Sequence, residues 1–482
     1  MRVWPVLAVA ALGGLVGGCG GSGPPSCGRD ADCDAGEVCG ARPGQSPEDA
    51  EPLRLACGAP LEAAPPGDFC RSGDECDHGI CLLAGTCVAP CEADEDCGDG
   101  LRCREAFART GPESLQPVGA CVSAVDAPPE VAVDTRVLSA ALTGGSSADA
   151  LSFGAGVPVT ERLVAVLEPS RPVDAWVQSM STRDPDPVLL YDLAGSTVVR
   201  RNPPTPYGEP MSVLLPNGPD AVLTEAGYEM RVRSDATSMR PADVFVAELA
   251  RGDLGTVMDL DLFYVGVEEP ASADGPVPAY VADALARVDD IFAPAGIRVG
   301  DVRQHLVVGA LRDDLEVIEL DREASVPDLV DLPQLFRLSA GTGRPSVPVF
   351  LVRLVEGALG ISGGVPGPHG MHGTMGSGIA VSVGPLRIGV GSEDGIDLGR
   401  VLAHELGHFM GLFHTTEPDG FSLEPLSDTP ECPEDQDRDG DGNLTGSECQ
   451  EFDADNLMFW AATGETLSEQ QDEVLGSGAV LR

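Results

Sequence analysis

The sequence predicts a multidomain protein: disulfide-rich repeats, then a β-sandwich, then an α+β catalytic domain. Three observations carry this reading. Twelve of the 15 cysteines crowd between Cys27 and Cys121, and short β-rich segments punctuated by Pro and Gly run from there to about Ala250. Beyond Gly255, helical periodicity interleaves with strands and leads to three closely spaced histidines, His404, His408 and His414. At 482 residues the chain is also longer than one core ordinarily supports.

The N-terminus reads as an export signal over residues 1–18. Arg2 precedes an apolar run from Val3 to Val16, too short to span a membrane and ending in small residues. The stretch Leu15-Val16-Gly17-Gly18-Cys19 resembles the lipobox of bacterial lipoproteins. That resemblance implies lipidation at Cys19, membrane attachment through it, and a lipid-anchored linker over 19–26. Gly20, rather than an aspartate, after the cysteine implies sorting to the outer membrane, facing the cell surface or the periplasm. The alternative is an ordinary secretory signal and a secreted protein. Removing Cys19 leaves 14 cysteines, an even set suited to disulfides in an oxidising compartment.

The repeats occupy 27–121 as three groups of four. Cys27, Cys33, Cys39 and Cys57 have the same five, five and seventeen intervening residues as Cys91, Cys97, Cys103 and Cys121; Cys70, Cys76, Cys81 and Cys87 form a shortened relative. Units this small bury little core, so covalent links must fix them, and no CxxC pairs favour zinc instead. Spacing leaves the connectivity open. Spacer, recognition module and inhibitory cover remain open as roles.

Residues 122–136, containing Ala127-Pro128-Pro129, read as a linker. The β-rich domain is placed at 137–250, with strands at Leu163 to Leu167, Val188 to Tyr191 and Tyr228 to Arg233. In the last region, 255–482, a strand is expected at Asp259 to Val265. Val281, Leu285, Val288 and Phe292 then line one face of a helix, and further strands follow at His305 to Val308, Val347 to Val352 and Gly378 to Val383. The segment before Gly255 is open as a pro-region.

Charge narrows the partners. Acidic residues outnumber basic ones 77 to 30, giving a net charge of −47, and lysine is absent altogether. Such a surface repels phosphate backbones, so no nucleic-acid partner is expected, whereas calcium binding fits it.

The chemistry concentrates in His404-Glu405-Leu406-Gly407-His408-Phe409-Met410-Gly411-Leu412-Phe413-His414. Asp397 can cap a helix whose buried side carries Leu398, Val401, Leu402, Leu406 and Phe409. Residues four apart share a helix face, so His404 and His408 aim two imidazoles at one point, where neutral imidazole binds Zn²⁺. Glu405 sits beside that point and can take a proton from water. Gly411 permits a left-handed turn that brings in His414 as third ligand. Three protein ligands leave one position open, the arrangement of a catalytic zinc.

These residues resemble the metzincin metalloproteases. That family places a methionine turn beneath the zinc, matched by Asn456-Leu457-Met458-Phe459-Trp460. The pappalysin branch is the nearest likeness: its Asp-Thr-Pro and cysteines correspond to Asp428-Thr429-Pro430, Cys432 and Cys449, and the helix after its turn to Leu467 to Gln471, where Ser468 and Gln471 form a capping box. The resemblance covers Gly255 to Arg482. It implies hydrolysis of peptide bonds, with zinc polarising the scissile carbonyl and acidifying water while Glu405 takes the proton and delivers it to the leaving amine. It also implies a peptide or protein substrate paired antiparallel with an edge strand, for which Gly378, Ile379, Ala380 and Val381 are the candidate, with the Gly360 to Gly376 loop on the cleft rim. His369 and His372 in that loop read as exposed. Trp460 departs from the tyrosine that many metzincins place two residues after the methionine.

A second metal is expected nearby. Asp437 to Glu448 matches the twelve-residue EF-hand loop, with Asp437, Asp439 and Asp441 as side-chain ligands, the Asn443 carbonyl, Gly442 at the sharp turn and Glu448 closing the set around Ca²⁺. Flanking helices are not evident. Cys432 and Cys449 bracket the loop and are expected to pair. The expected function is a zinc-dependent endopeptidase; the alternative is a catalytically silent surface binding or adhesion protein that uses the Cys-rich and β domains.

Overall fold

The computed structural model describes residues 26–41, 53, 55–61, 63–111, 114–144, 148–170, 175–192, 210–219, 221–234, 242–319, 331–388, 397–421 and 424–482. The export signal and Cys19 lie outside them. The described chain is multidomain, rich in β-structure and in disulfides.

Each cysteine group closes the same way, first to third and second to fourth. The pairs are Cys27–Cys39, Cys33–Cys57, Cys70–Cys81, Cys76–Cys87, Cys91–Cys103 and Cys97–Cys121. The first unit carries a small antiparallel pair, β1 (Val38–Ala41) and β2 (Leu55–Gly58), in which Cys39 faces Cys57. The third extends into a long hairpin, β3 (Leu101–Gly111) and β4 (Ser114–Ser123). The expected linker is shorter than drawn. β4 runs to Ser123 and the next strand starts at Ala132, while Ala124 and Val131 between them are buried.

Eight strands then form two antiparallel sheets. β10 (Met211–Leu215), β7 (Arg162–Pro169), β12 (Ala242–Arg251) and β5 (Ala132–Leu142) make one; β6 (Asp149–Phe153), β11 (Tyr228–Ser234), β8 (Ala175–Thr182) and β9 (Leu189–Asp192) make the other. Alternation explains their shared core. Leu163, Ala165 and Leu167 on β7 face Met180, Met230 and Val232 of the second sheet. The residues between them, Val164 and Val166, point the other way with Leu214 and Leu249, into the core of the C-terminal region. β7, β10 and β12 of the first sheet therefore contribute to two cores, one on each face.

The C-terminal region is built on a five-stranded sheet in the order β14 (Arg298–Leu306), β13 (Val257–Val265), β16 (Val347–Val352), β19 (Ile379–Ser382), β18 (Gly360–Ser362). All neighbours are parallel except β18, which runs antiparallel to β19. A two-residue parallel pair, β15 (Val317–Ile318) with β17 (Leu354–Val355), lies to one side. Strands covered on both faces read as continuous apolar runs, as β16 does. α1 (Ala279–Phe292) and α5 (Leu398–Phe409) share one core with this sheet through Val281, Val288, Val401 and Leu406. α2 (Gly309–Leu315) and α3 (Asp331–Arg337) cover the opposite face together with Phe107 of the β3–β4 hairpin. α4 (Val383–Ile388) follows β19 and α6 (Glu469–Gly476) ends the fold. Among the described residues no helix is long and apolar enough to cross a membrane.

Candidate metal centre

α5 begins where its capping residue predicts: the Asp397 side chain accepts a hydrogen bond from the Arg400 N–H at 2.9 Å. It ends at Gly411, whose φ of +112° lies in the region that favours glycine. A β-carbon there would also meet Leu214 of β10 at 2.9 Å, so the turn and the sandwich contact both demand glycine.

His404 and His408 lie one helical turn apart, and the chain after Gly411 returns His414 to them. His414 Nε2 is 3.2 Å from His404 Nε2 and 3.0 Å from His408 Nε2. The other ring nitrogens are held outward. His404 Nδ1 donates to the Leu457 carbonyl at 2.7 Å, His408 Nδ1 donates to the Leu412 carbonyl at 2.7 Å, and His414 Nδ1 lies 3.0 Å from Glu417 Oε1. Donation from Nδ1 leaves the Nε2 lone pairs facing one another, an arrangement that repels unless a cation sits between them. Zinc–nitrogen bonds of about 2.0–2.1 Å in tetrahedral geometry separate the nitrogens by about 3.3 Å, so the triad fits that ion. Burial pushes His404 down to about 3 and His408 well below the usual histidine range, keeping both rings neutral.

Glu405 follows His404 on α5 and is 6% exposed; burial pushes its carboxyl up to about 8. The first residue of β18 packs against it: a β-carbon on Gly360 would sit 2.6 Å from Glu405 Cγ. This corrects the expected substrate strand. Gly378 precedes β19, and Ile379, Ala380 and Val381 are interior, hydrogen-bonded on both sides by β16 and β18. The edge is β18, the first residues of the supposed rim loop. Three residues, two of them outside any apolar alternation, are too short a signal to mark it.

Below the histidines lies Met458, fully buried, whose sulfur would meet a β-carbon on Gly407 at 2.7 Å. Its turn is tied to both ends of the triad. The Leu457 carbonyl accepts from His404, and the Met458 carbonyl accepts from the Thr415 N–H at 3.0 Å. Asn456 Oδ1 accepts from the Met458 N–H at 2.8 Å and is held in turn by Gln471 of α6, whose capping box with Ser468 is formed.

The acidic loop is already folded like a cation site. Asp437 accepts from the Gly440 and Gly442 N–H groups, Asp439 from Asp441, and Asp441 from Asn443. Glu448 accepts from the Thr445 hydroxyl and N–H and from the Arg438 N–H, which hold its carboxyl down at about 2. Cys432 and Cys449 pair, and with Leu444 and Phe459 they form a small core beneath the loop. The residue standing in for the family's tyrosine connects the two sites: Trp460 Nε1 donates to the Leu444 carbonyl at 2.7 Å.

His369 and His372 are corrected as well. They are 0% and 3% exposed rather than displayed on a loop. His369 Nε2 donates to the Phe409 carbonyl at the end of α5 and its Nδ1 accepts from the Ala479 N–H. Burial pushes it down to about 4. His372 Nε2 donates to the Arg344 carbonyl. Glu417, which sequence reasoning misses, stands three residues after His414 and places its carboxylate 3.0 Å from the His414 Nδ1.

No protein-family model and no curated protein matches the chain. Among solved structures, the CBM22-1–GH10 modules of Clostridium thermocellum xylanase 10B bound to xylohexaose are 12% identical at a TM-score of 0.12, over 29% of this chain and 32% of that one. A family two carbohydrate esterase from Cellvibrio japonicus is 11% identical at a TM-score of 0.07, over 37% of this chain and 53% of the esterase. This chain thus spans about a third of the xylanase structure and about half of the esterase. Scores this low carry no argument about fold or function.

Proposed function

We propose that this protein is a zinc-dependent endopeptidase of the metzincin type, nearest to the pappalysin branch, exported and held at the outer membrane through lipidated Cys19. One observation carries the reading: three histidines converge, His414 Nε2 lying 3.2 and 3.0 Å from the Nε2 atoms of His404 and His408, whose helix also carries the buried Glu405 packed against an antiparallel edge strand. Zinc held there supplies Lewis acidity toward a carbonyl oxygen and toward water. Glu405 takes the proton of the attacking water and returns it to the leaving amine, and its low exposure keeps bulk water from competing. β18 offers its free edge to an extended peptide, so that backbone hydrogen bonds bind the substrate whatever its side chains. Calcium in the 437–448 loop orders the chain between His414 and Met458, with the Trp460 indole passing that order to the methionine turn.

The test compares wild type with Glu405→Ala on casein and on a peptide library, with zinc measured per chain. Retained zinc with hydrolysis reduced by about 10²–10⁴-fold is expected for the variant. Equal digestion by both sinks the protease reading and leaves the binding protein.

A further inference from the structure

A cavity of about 220 Å³ opens where three parts of the chain meet. Arg102 and Arg104 of β3 line it with Glu168 of β7, Arg337 at the end of α3, and Thr374 and Met375 of the Gly-rich loop. Two of the three arginines are already engaged. Arg104 grips Glu168 through two N–H groups, at 2.5 and 2.9 Å, and Arg102 bridges Asp94 at 3.0 Å and Glu168 at 3.3 Å. Arg337 is different. Among the described residues no carboxylate lies within ion-pair distance of its half-buried guanidinium. In a chain of net charge −47, a cation facing a cavity without a partner stands out. It is a fork suited to a carboxylate, and among the described residues neither Glu105 nor Glu168, which also line the cavity, pairs with it.

The cavity borders the Gly-rich loop that packs on the end of β18. Gly360 packs on Glu405, and three residues on, a β-carbon at Gly363 would sit 2.1 Å from the carbonyl of Gly376, the neighbour of Met375. Three steps of about 3.3 Å put Gly363, and with it the loop that lines the cavity, roughly 10 Å from the Glu405 end of β18. A peptide antiparallel to β18 with its scissile bond at Glu405 passes Ser362 and Gly363 with residues that precede that bond. Resting on the protease reading above, the geometry points to Arg337 as the specificity-determining residue of a subsite for an aspartate or glutamate side chain. That side chain stands about three to five residues N-terminal to the cleaved bond. The third Cys-rich unit and the sandwich then act as walls of this subsite, which gives the N-terminal half a part in substrate choice.

The experiment uses the full-length zinc-loaded protein and two fluorogenic peptides that differ only in Glu against Gln at those positions. Wild type should cleave the Glu peptide with about tenfold higher kcat/KM, mostly through KM. Arg337→Gln should bring the ratio to about one, Arg337→Lys should restore part of it, and Arg337→Glu should invert it. Fluorescence anisotropy of both peptides on Glu405→Ala gives the same preference without hydrolysis. Equal kcat/KM in wild type, or a preference that survives Arg337→Gln, overturns the subsite and leaves the protease standing. Preferential binding of the Glu peptide with no cleavage of either overturns the protease and keeps the site; neither bound nor cleaved overturns both. The peptide exchange itself needs no variant, so a misfolded Arg337→Gln does not shield the proposal.

Discussion

His369 lies near the cluster of His404, His408 and His414 in the C-terminal region, and its ring nitrogens are treated in the opposite way. His404 and His408 turn one nitrogen each outward to a backbone acceptor, His414 Nδ1 lies near Glu417, and all three turn the other nitrogen inward to a common point. His369 is at least as buried, yet both of its nitrogens are used up, one on the Phe409 carbonyl and one on the Ala479 N–H. Burial therefore does not distinguish a ligand from a strut. Unsatisfied lone pairs converging on one volume do, since they are tolerated only when a cation completes them. His369 braces the end of α5 against the C-terminal tail.

The sharpest break of this contrast is a pair of substitutions. His414→Ala should lower zinc affinity more than 100-fold, beyond the usual loss for an orienting residue, and abolish hydrolysis. His369→Asn should keep one zinc per chain. Zinc counted by mass spectrometry after dialysis reads both, and a zinc-free His369→Asn would erase the distinction.

The second contrast is in pH. His369 titrates near 4 when folded and near 6.5 when unfolded, so between those values the unfolded state binds the extra proton. Its contribution is intact above pH 6.5 and lost as pH falls toward 4, up to roughly 3 kcal/mol. Unfolding midpoints of metal-free wild type should therefore fall more steeply than those of metal-free His369→Gln across that window. Parallel curves contradict the assignment.

Much of this centre is legible in the sequence alone. The period of Leu398, Val401, Leu402 and Leu406, the Asp397 cap and the four-residue histidine step are local features, and α5 follows them. The cysteine groups are legible as disulfide units but not in their connectivity: Cys39 faces Cys57 and Cys103 faces Cys121 across their hairpins, yet each bonds to an earlier cysteine of its unit. The substrate edge is not legible, because β18 is three residues long and its pairing is set by β19 rather than by any pattern of its own. His369 and His372 read as exposed because their loop is rich in glycine. Their burial comes from packing that is remote in sequence, such as Asp126 and Leu249 against Gly370. The buried Asp261, ringed by Arg303, His305, Arg344 and Ser346, also escapes the sequence reading, although a charge inside an apolar strand is a signal in itself.

The same remote packing makes a third prediction. Gly411→Ala forces a side chain onto a φ of +112° and against Leu214 of the sandwich, which should cost about 2 kcal/mol. The damage should fall on zinc affinity as well as stability, because His414 follows that turn. A variant with unchanged unfolding midpoint and zinc affinity would show that the sandwich is a passive neighbour of α5.

The smallest effect tests how the calcium-type loop reaches the zinc-type site. Trp460→Phe keeps an aromatic ring against Phe459 and the Cys432–Cys449 disulfide but removes the N–H donated to the Leu444 carbonyl. Losing one such bond should cost about 1 kcal/mol. In wild type with saturating zinc, added calcium should raise both the unfolding midpoint and the rate of peptide hydrolysis. In Trp460→Phe the midpoint should still respond, since Asp437, Asp439, Asp441 and Glu448 are untouched, while the rate should respond less. The indole adds a hydrogen bond between the loop and the methionine turn beside the packing of Leu444 on Phe459, so separating the two responses isolates that bond. If both responses survive undiminished, calcium acts on the histidines by another route, and the 414–458 segment is ordered through its disulfide alone.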